Sequence, residues 1–259
     1  MDGQLKVGTT LISESLQRYK VISLLGAGGQ GEVYDIECNG KHYALKWYFK
    51  HTATEAQKAI LNNLVEKGAP DSSFLWPQDL IFKTPGESFG YIMPLRPKNY
   101  KSIVDMMKRR AEPSFYALCR AAYNLTNGYQ KLHAMGYSYR DISFGNLFFD
   151  PDNGDVLICD NDNVAANGID NSSVYGTPRF MAPEIVVGKA KPSRNTDLFS
   201  LAVLLFYNNP SLWGIRNDSP ENWTYIKADG MQIPVPKGRS AAIAKGVKIN
   251  FGQMVGEFK

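Results

Sequence analysis

Polar and apolar positions alternate with the period of a strand in three early segments, residues 19–25 (YKVISLL), 32–38 (EVYDIEC) and 41–48 (KHYALKWY). Their β-branched and aromatic content predicts three strands. Asn39-Gly40 between the last two is a hairpin signal, because both residue types accept the positive φ of a tight turn. The period then changes: residues 54–67 carry Ala56, Ile60, Leu61, Leu64 and Val65 at helical spacing, with Thr54 placed to cap the first turn and Gly68 to end the last. Strand character returns in residues 80–83 and 89–95, on either side of Pro85-Gly86. After Pro97 the spacing predicts helices over 100–110 and 114–135, the second with Leu118, Ala122, Leu125, Tyr129 and Leu132 on one face. The longest apolar run, residues 198–207, is well short of the ~20 residues a membrane span needs and reads as a buried core helix. Residues 223–258, rich in Gly with alternating Val and Ile, read as β-structure. The expected class is α+β: a β-rich lobe with an N-terminal extension over 1–95, a helical lobe over 96–209, and an atypical β-rich segment over 210–259.

Composition narrows the function classes. The net charge is only +4 with Lys and Arg scattered, and Lys108-Arg109-Arg110 reads as a solvated helix end, so no nucleic-acid partner is expected. Cys38, Cys119 and Cys159 lie far apart with no C-x-x-C pair, which argues against a disulfide framework or a zinc site. The first fifteen residues lack a basic segment followed by an apolar one, so no secretory signal is expected. A cytoplasmic location and no membrane association follow as expectations.

Two clusters carry chemistry. In the first, Gly26-Ala27-Gly28-Gly29-Gln30-Gly31-Glu32-Val33 sits between two strands. A dinucleotide site would need a helix directly after Gly31 and an acid ~20 residues on. Here a strand follows, and the residue at that distance from Gly26 is Lys46. That order favours a hairpin whose backbone N–H groups cover phosphates, with a lysine reaching them. In the second, Tyr139-Arg140-Asp141-Ile142-Ser143-Phe144-Gly145-Asn146 is followed by an apolar strand pair and then by Asp160. Any one of these Asp or Asn residues could be a turn or cap residue; their joint spacing after the glycine cluster and Lys46 argues otherwise.

Over residues 18–207 this order resembles the eukaryotic-like protein kinases. The resemblance implies a two-lobed kinase-like fold with an abbreviated C-lobe, and a serine/threonine protein kinase that uses ATP and Mg2+. It assigns Asp141 as the base that orients the acceptor hydroxyl, Asn146 and Asp160 as metal ligands, and Gly26, Gly28, Gly31, Val33, Ala44, Lys46, Met93 and Leu95 as nucleotide contacts. The acid that should hold Lys46 would come from the following helix, at Glu55 or at the position occupied by Gln57. Gly176-Thr177-Pro178-Arg179-Phe180-Met181-Ala182-Pro183-Glu184 is similar to the end of an activation segment. Within that segment Ser172 or Ser173 is the expected autophosphorylation site, to be paired by Arg140. Thr177 is expected to bond Asp141, and Asp197 to anchor the backbone of the catalytic loop.

Three departures stand out. Tyr139 replaces the usual His, Ser143 replaces a lysine that touches the γ-phosphate, and Asp160-Asn161-Asp162 replaces D-F-G, with Asp162 as a further carboxylate near the metal. The combination resembles a bacterial subgroup encoded beside tellurite-resistance-type operons, which implies a PP2C-type phosphatase and a von Willebrand A-type protein as partners besides the protein substrate. Ser143, Asn161 and the short C-lobe leave a second reading open, a nucleotide-binding pseudokinase scaffold that docks signalling partners. A small-molecule kinase is disfavoured by residues 176–184. No arginine partner for Glu184 is recognisable beyond residue 207. The last fifty residues suit an abbreviated C-lobe cap better than part of a phosphothreonine-reading forkhead-associated domain.

Overall fold

The structure, a computed structural model, describes residues 3–82, 88–167, 175–208, 224–226 and 232–234. Contacts divide the chain into one unit ending at Asn208 and a second beginning at Asn209. The first unit opens with β1 (Thr10–Ile12), β2 (Arg18–Ala27), β3 (Gly31–Cys38), β4 (Lys41–Tyr48), α1 (Glu55–Lys67), β5 (Asp79–Phe82) and β6 (Phe89–Pro94). It continues through β7 (Lys101–Ser102), α2 (Ile103–Met107), α3 (Phe115–Ala134), β8 (Tyr137–Ser138), β9 (Leu147–Phe149), β10 (Val156–Ile158), β11 (Ala165–Ala166), α4 (Pro183–Val186) and α5 (Arg194–Asn208). In the second unit β12 (Thr224–Ile226) pairs antiparallel with β13 (Gln232–Pro234).

Six strands form one antiparallel sheet in the order β1-β2-β3-β4-β6-β5. The β3–β4 turn uses Asn39 and Gly40 at φ 52° and 76°, the left-handed pair such a turn requires. Period-two alternation along β4 then decides the positions of its side chains. Leu45 and Trp47 enter a core with Val21, Tyr34, Ile36, Ile81 and Ile92. Ala44 and Tyr48 face the opposite core, with Leu61 of α1 and Leu80, Tyr91 and Met93. Lys46 lies between Ala44 and Tyr48 on that second face, which is the one turned toward the rest of the molecule. Thr54 caps α1 by accepting the Gln57 N–H, and Gly68 ends it at φ 72°.

Below the sheet, α3 packs Leu118, Ala121, Leu125, Tyr129 and Leu132 against Tyr139, Leu147, Phe149 and Ile158, and against Leu201 and Leu204 of α5. A small sheet, β10-β9-β7, lies beside it. A sheet-built N-terminal lobe followed, among the described residues after Pro97, by four α-helices agrees with the expected order of a β-rich and then a helical part.

Several elements differ from the sequence expectation. Helix over 100–110 is confined to Ile103–Met107. Lys101 and Ser102 pair with β9, Ser102 caps α2 through a reciprocal bond with Asp105, and Arg109 at φ 55° lies beyond its end. The 198–207 run is not buried all round: α5 buries Leu201 and Leu204, while Leu198, at 54% exposure, and Phe199 face outward. The strand β1 was not expected; it forms because Leu11 buries its side chain beside Tyr19 on the sheet edge. The expected β-structure over 223–258 lies outside the described residues except for the β12–β13 hairpin, and Lys83 of the expected 80–83 strand also lies outside them.

Candidate active site

The glycine cluster joins β2 to β3. The Gly28 N–H donates to the Gly31 carbonyl at 2.8 Å, and the Phe49 N–H holds the Gln30 carbonyl at 2.9 Å. Gly31 is obligatory for packing: a Cβ there would lie 2.2 Å from the Trp47 carbonyl oxygen. A cavity of about 240 Å³ opens between residues 28–31 above and Asp141 and Asp160 below, with Val33 and Lys46 on its wall. Six expected residues thus meet on one surface: Gly28, Gly31, Val33, Lys46, Asp141 and Asp160. Gly26 stands back from it, paired with Val33 in the β2–β3 ladder. Ala44 and Met93 are cross-strand neighbours on β4 and β6. With Val33, Leu95 and Phe148 they form one apolar cluster suited to a flat heterocycle. Phe148 is a contact that sequence reasoning missed; the Arg96 guanidinium lies over its ring at 4.2 Å.

Lys46 is the electrostatic centre. Its ammonium lies 2.6 Å from Asp160 Oδ1, 2.8 Å from Asp162 Oδ2 and 3.0 Å from Gln30 Oε1. Burial works to lower its pKa, but the charges and hydrogen bonds of Asp162 and Asp160 outweigh burial and hold the pKa above the usual lysine range. Burial and the adjacent Asp162 push the Asp160 carboxyl up from its ordinary value, against the pull of Lys46. The Tyr48 hydroxyl donates to Asp162 Oδ2, and burial followed by that carboxylate raises the phenol well above its usual range. Gln57 donates its amide to the Asp162 backbone carbonyl at 2.9 Å and to the Tyr48 oxygen at 3.2 Å.

The expected partner of Lys46 therefore needs correction. Neither Glu55 nor Gln57 pairs with it: Glu55 is exposed in the first turn of α1, and Gln57, a neutral amide, binds Tyr48 and a backbone carbonyl. The carboxylates on Lys46 are Asp160 and Asp162. The β4 alternation could have flagged Tyr48, which lies two residues from Lys46 on the same face. No local pattern marks Gln30 or Asp162 as partners of the lysine.

The loop that carries Asp141 is held by its backbone. The Asp197 carboxylate accepts the N–H groups of Tyr139 at 2.6 Å and Arg140 at 2.9 Å and contacts His133 Nε2 at 3.0 Å. These bonds fix Arg140 at φ 76°, a sparsely populated conformation that persists where surroundings over-determine it. Fully buried Tyr139 donates its hydroxyl to the Cys159 carbonyl, tying this loop to the stretch after β10 that leads into Asp160. Asp141 is gripped from two sides. Its Oδ1 accepts the Thr177 hydroxyl at 2.7 Å, and the Asn146 amide donates to its backbone carbonyl at 2.9 Å and to Oδ2 at 3.3 Å. Asn161, which stands where the D-F-G triplet of the resemblance has a phenylalanine, is fully buried and donates to the Leu75 and Ile158 carbonyls at 2.9 and 3.0 Å. The Cys159 thiol is pushed up to about 12, chiefly by burial and then by Asp160, so it stays protonated.

The donor set fits a hard cation. Asn146 spends its amide nitrogen on Asp141 and keeps its oxygen, and Asp160 is partly open to the cavity. Among those residues no cluster of three or more His, Cys, Asp or Glu side chains forms a protein-only cage. Mg2+ suits such a site, since it commonly takes one or two carboxylates together with substrate phosphates. Glu184 lies exposed in the first turn of α4; Ser172 and Ser173 lie outside the described residues.

Comparison with known proteins agrees with this geometry. The sequence profile of the family described as protein kinase domain matches residues 19–219. A Zea mays relative named "Probable serine/threonine-protein kinase CCRP1" is 28% identical over 78% of this chain and 32% of its own length. The protein kinase C delta type of Rattus norvegicus is 30% identical over 74% of this chain and 29% of its own. The chain thus spans about a third of the length of these curated relatives. A solved structure of vaccinia related kinase 3 superposes with a TM-score of 0.59 at 16% identity, covering 90% of this chain and 81% of that one, a likeness of fold.

Proposed function

This chain belongs to the protein kinase family, and we propose that it transfers the γ-phosphoryl group of Mg-ATP to serine and threonine hydroxyls of a protein. One observation carries the reading: Lys46, Asp141 and Asp160 line a single cavity beneath the glycine loop.

Each residue has a task in that chemistry. The backbone of Gly29 and Gln30, at the tip of the turn closed by the Gly28 N–H on the Gly31 carbonyl, covers the phosphates, and Lys46 offers its ammonium to their oxygens. Val33, Ala44, Met93, Leu95 and Phe148 supply the apolar slot for the base. Asn146 and Asp160 would hold Mg2+, which when bound neutralises charge on the phosphates. Asp141 accepts a hydrogen bond from the acceptor hydroxyl and receives its proton, with Thr177 and Asn146 fixing the carboxylate beforehand. Thr177 also supports a preference for Ser/Thr acceptors over Tyr, because its bond to Asp141 shapes the floor on which the acceptor lies.

The finer readings are part of the same proposal. Autophosphorylation falls on Ser172 or Ser173. The chain acts in a bacterial cytoplasm as a member of the tellurite-resistance-type subgroup, with a PP2C-type phosphatase and a von Willebrand A-type protein as partners; among the described residues no helix is long and apolar enough to cross a membrane. The scaffold reading is disfavoured because Lys46, Asp141, Asn146 and Asp160 are all retained.

The test is to incubate the purified protein with labelled Mg-ATP, alone and with a generic protein substrate, beside Asp141→Asn. Protein labelling that drops at least a hundredfold in the variant is the expected result. Nucleotide binding without any transfer would replace the kinase with the scaffold, and labelling of small alcohols alone would replace it with a small-molecule kinase.

A further inference from the structure

Resting on the kinase reading above, we propose that Asp162 is the positioning residue for Lys46, in the place an acid on α1 would otherwise fill. The two carboxylates on Lys46 are not equivalent. The Asp160 side chain is 36% exposed and faces the cavity, while the Asp162 side chain is shut off from solvent. Asp162 Oδ2 accepts both the Lys46 ammonium at 2.8 Å and the Tyr48 hydroxyl. Its backbone carbonyl is held by Gln57 at 2.9 Å, and Gln57 also reaches the Tyr48 oxygen.

This arrangement divides the labour. Asp160 can leave Lys46 to serve a cation in the cavity, because one side of it is open. Asp162 is enclosed by Tyr48, by Lys46 and by the contact of its own backbone with α1, so it stays with the lysine. A buried carboxylate needs a paired cation, and among the described residues Lys46 is the cation paired with Asp162. The anchor on the lysine is thus built into the Asp160-Asn161-Asp162 turn. α1 contributes to it through the neutral amide of Gln57, with no charge of its own.

The test compares the wild-type chain with Asp162→Asn, using kcat, the Mg2+ half-saturation and the rate at which an ATP acyl-phosphate probe labels Lys46, read by peptide mass. The expected result is a kcat lower by ~10–100-fold, labelling of Lys46 raised several-fold, since the neutral amine attacks the acyl phosphate and Asp162 holds the charged form, and a Mg2+ half-saturation within twofold of wild type. Unchanged Lys46 labelling would overturn the proposal. So would a tenfold rise in Mg2+ half-saturation with labelling intact, which would make Asp162 a metal ligand instead. If thermal melting shows that Asp162→Asn does not fold, Tyr48→Phe takes its place, since it removes one hydrogen bond to Asp162 and keeps the ring. A several-fold change of labelling there supports the proposal and no change overturns it. Labelling does not require phosphoryl transfer. A wild-type chain that labels at Lys46 but transfers nothing would end the kinase reading and leave the role of Asp162 to be judged on labelling alone.

Discussion

Asp141 owes its orientation to two neighbours from different parts of the chain, Thr177 from the activation segment and Asn146 from its own loop. A hydrogen bond to a charged group contributes ~1.5–3 kcal/mol. Thr177→Val keeps the volume and removes the hydroxyl, so kcat should fall ~10–100-fold while the KM for ATP moves little. Steady-state kinetics at saturating Mg2+ checks this, and a rise in KM with kcat intact would reassign Thr177 to nucleotide binding. The Thr177–Asp141 bond was an expectation from the sequence because both residues sit in recognisable motifs. The Lys46–Asp162 pair was not, because it joins residues 116 positions apart through a turn whose motif had diverged. Spacing reveals which residues belong to a site. It does not reveal which of two nearby carboxylates is buried.

At the level of elements, period and turn chemistry carried most of the information. The β3–β4 hairpin, α1 with its Thr54 cap and α3 with its single apolar face all follow from pattern. Expectation and structure part where a local competitor acts: Ser102 and Asp105 close a capping box that starts α2 late, and Leu11 recruits the N-terminal extension to the sheet edge. The glycine loop adds a distinction that no pattern shows. Gly31 abuts the backbone of β4, whereas a Cβ on Gly29 would meet nothing within 4 Å. Gly31→Ala must push β3 away from β4 and should cost at least ~2 kcal/mol, while Gly29→Ala should stay within ~0.5 kcal/mol of wild type. Paired thermal melts decide it. Equal melting temperatures would mean that the Gly31–Trp47 approach does not constrain the sheet.

For the first unit as a whole, the argument turns on charge. Asp160 and Asp162 share one lysine, with Asp141 on the same cavity, so the site carries more negative than positive charge before any ligand arrives. The absence of lysine at position 143 removes a cation that would have offset this, and Ser143 is itself buried. Nucleotide alone brings further negative charge to that surface, whereas Mg2+ relieves it, so stabilisation should depend on the metal more than on the nucleotide. A ligand that binds only the folded chain at a hundred times its Kd adds ~2.7 kcal/mol. For a folded unit of this size that is a rise of roughly 5–10 °C in Tm. The expected order of melting temperatures is Mg-ATP highest, Mg2+ alone intermediate, and ATP with EDTA no higher than the ligand-free protein. Asp160→Asn should abolish the Mg2+-dependent part of the rise, since it removes the carboxylate that is open to the cavity. On the proposed reading, in which Asp141 acts on the acceptor hydroxyl, Asp141→Asn should keep that rise while losing transfer. If ATP with EDTA stabilised the chain as strongly as Mg-ATP, the glycine loop and Lys46 would be holding the phosphates without the metal, and the balance of charge argued from Asp160 and Asp162 would be wrong.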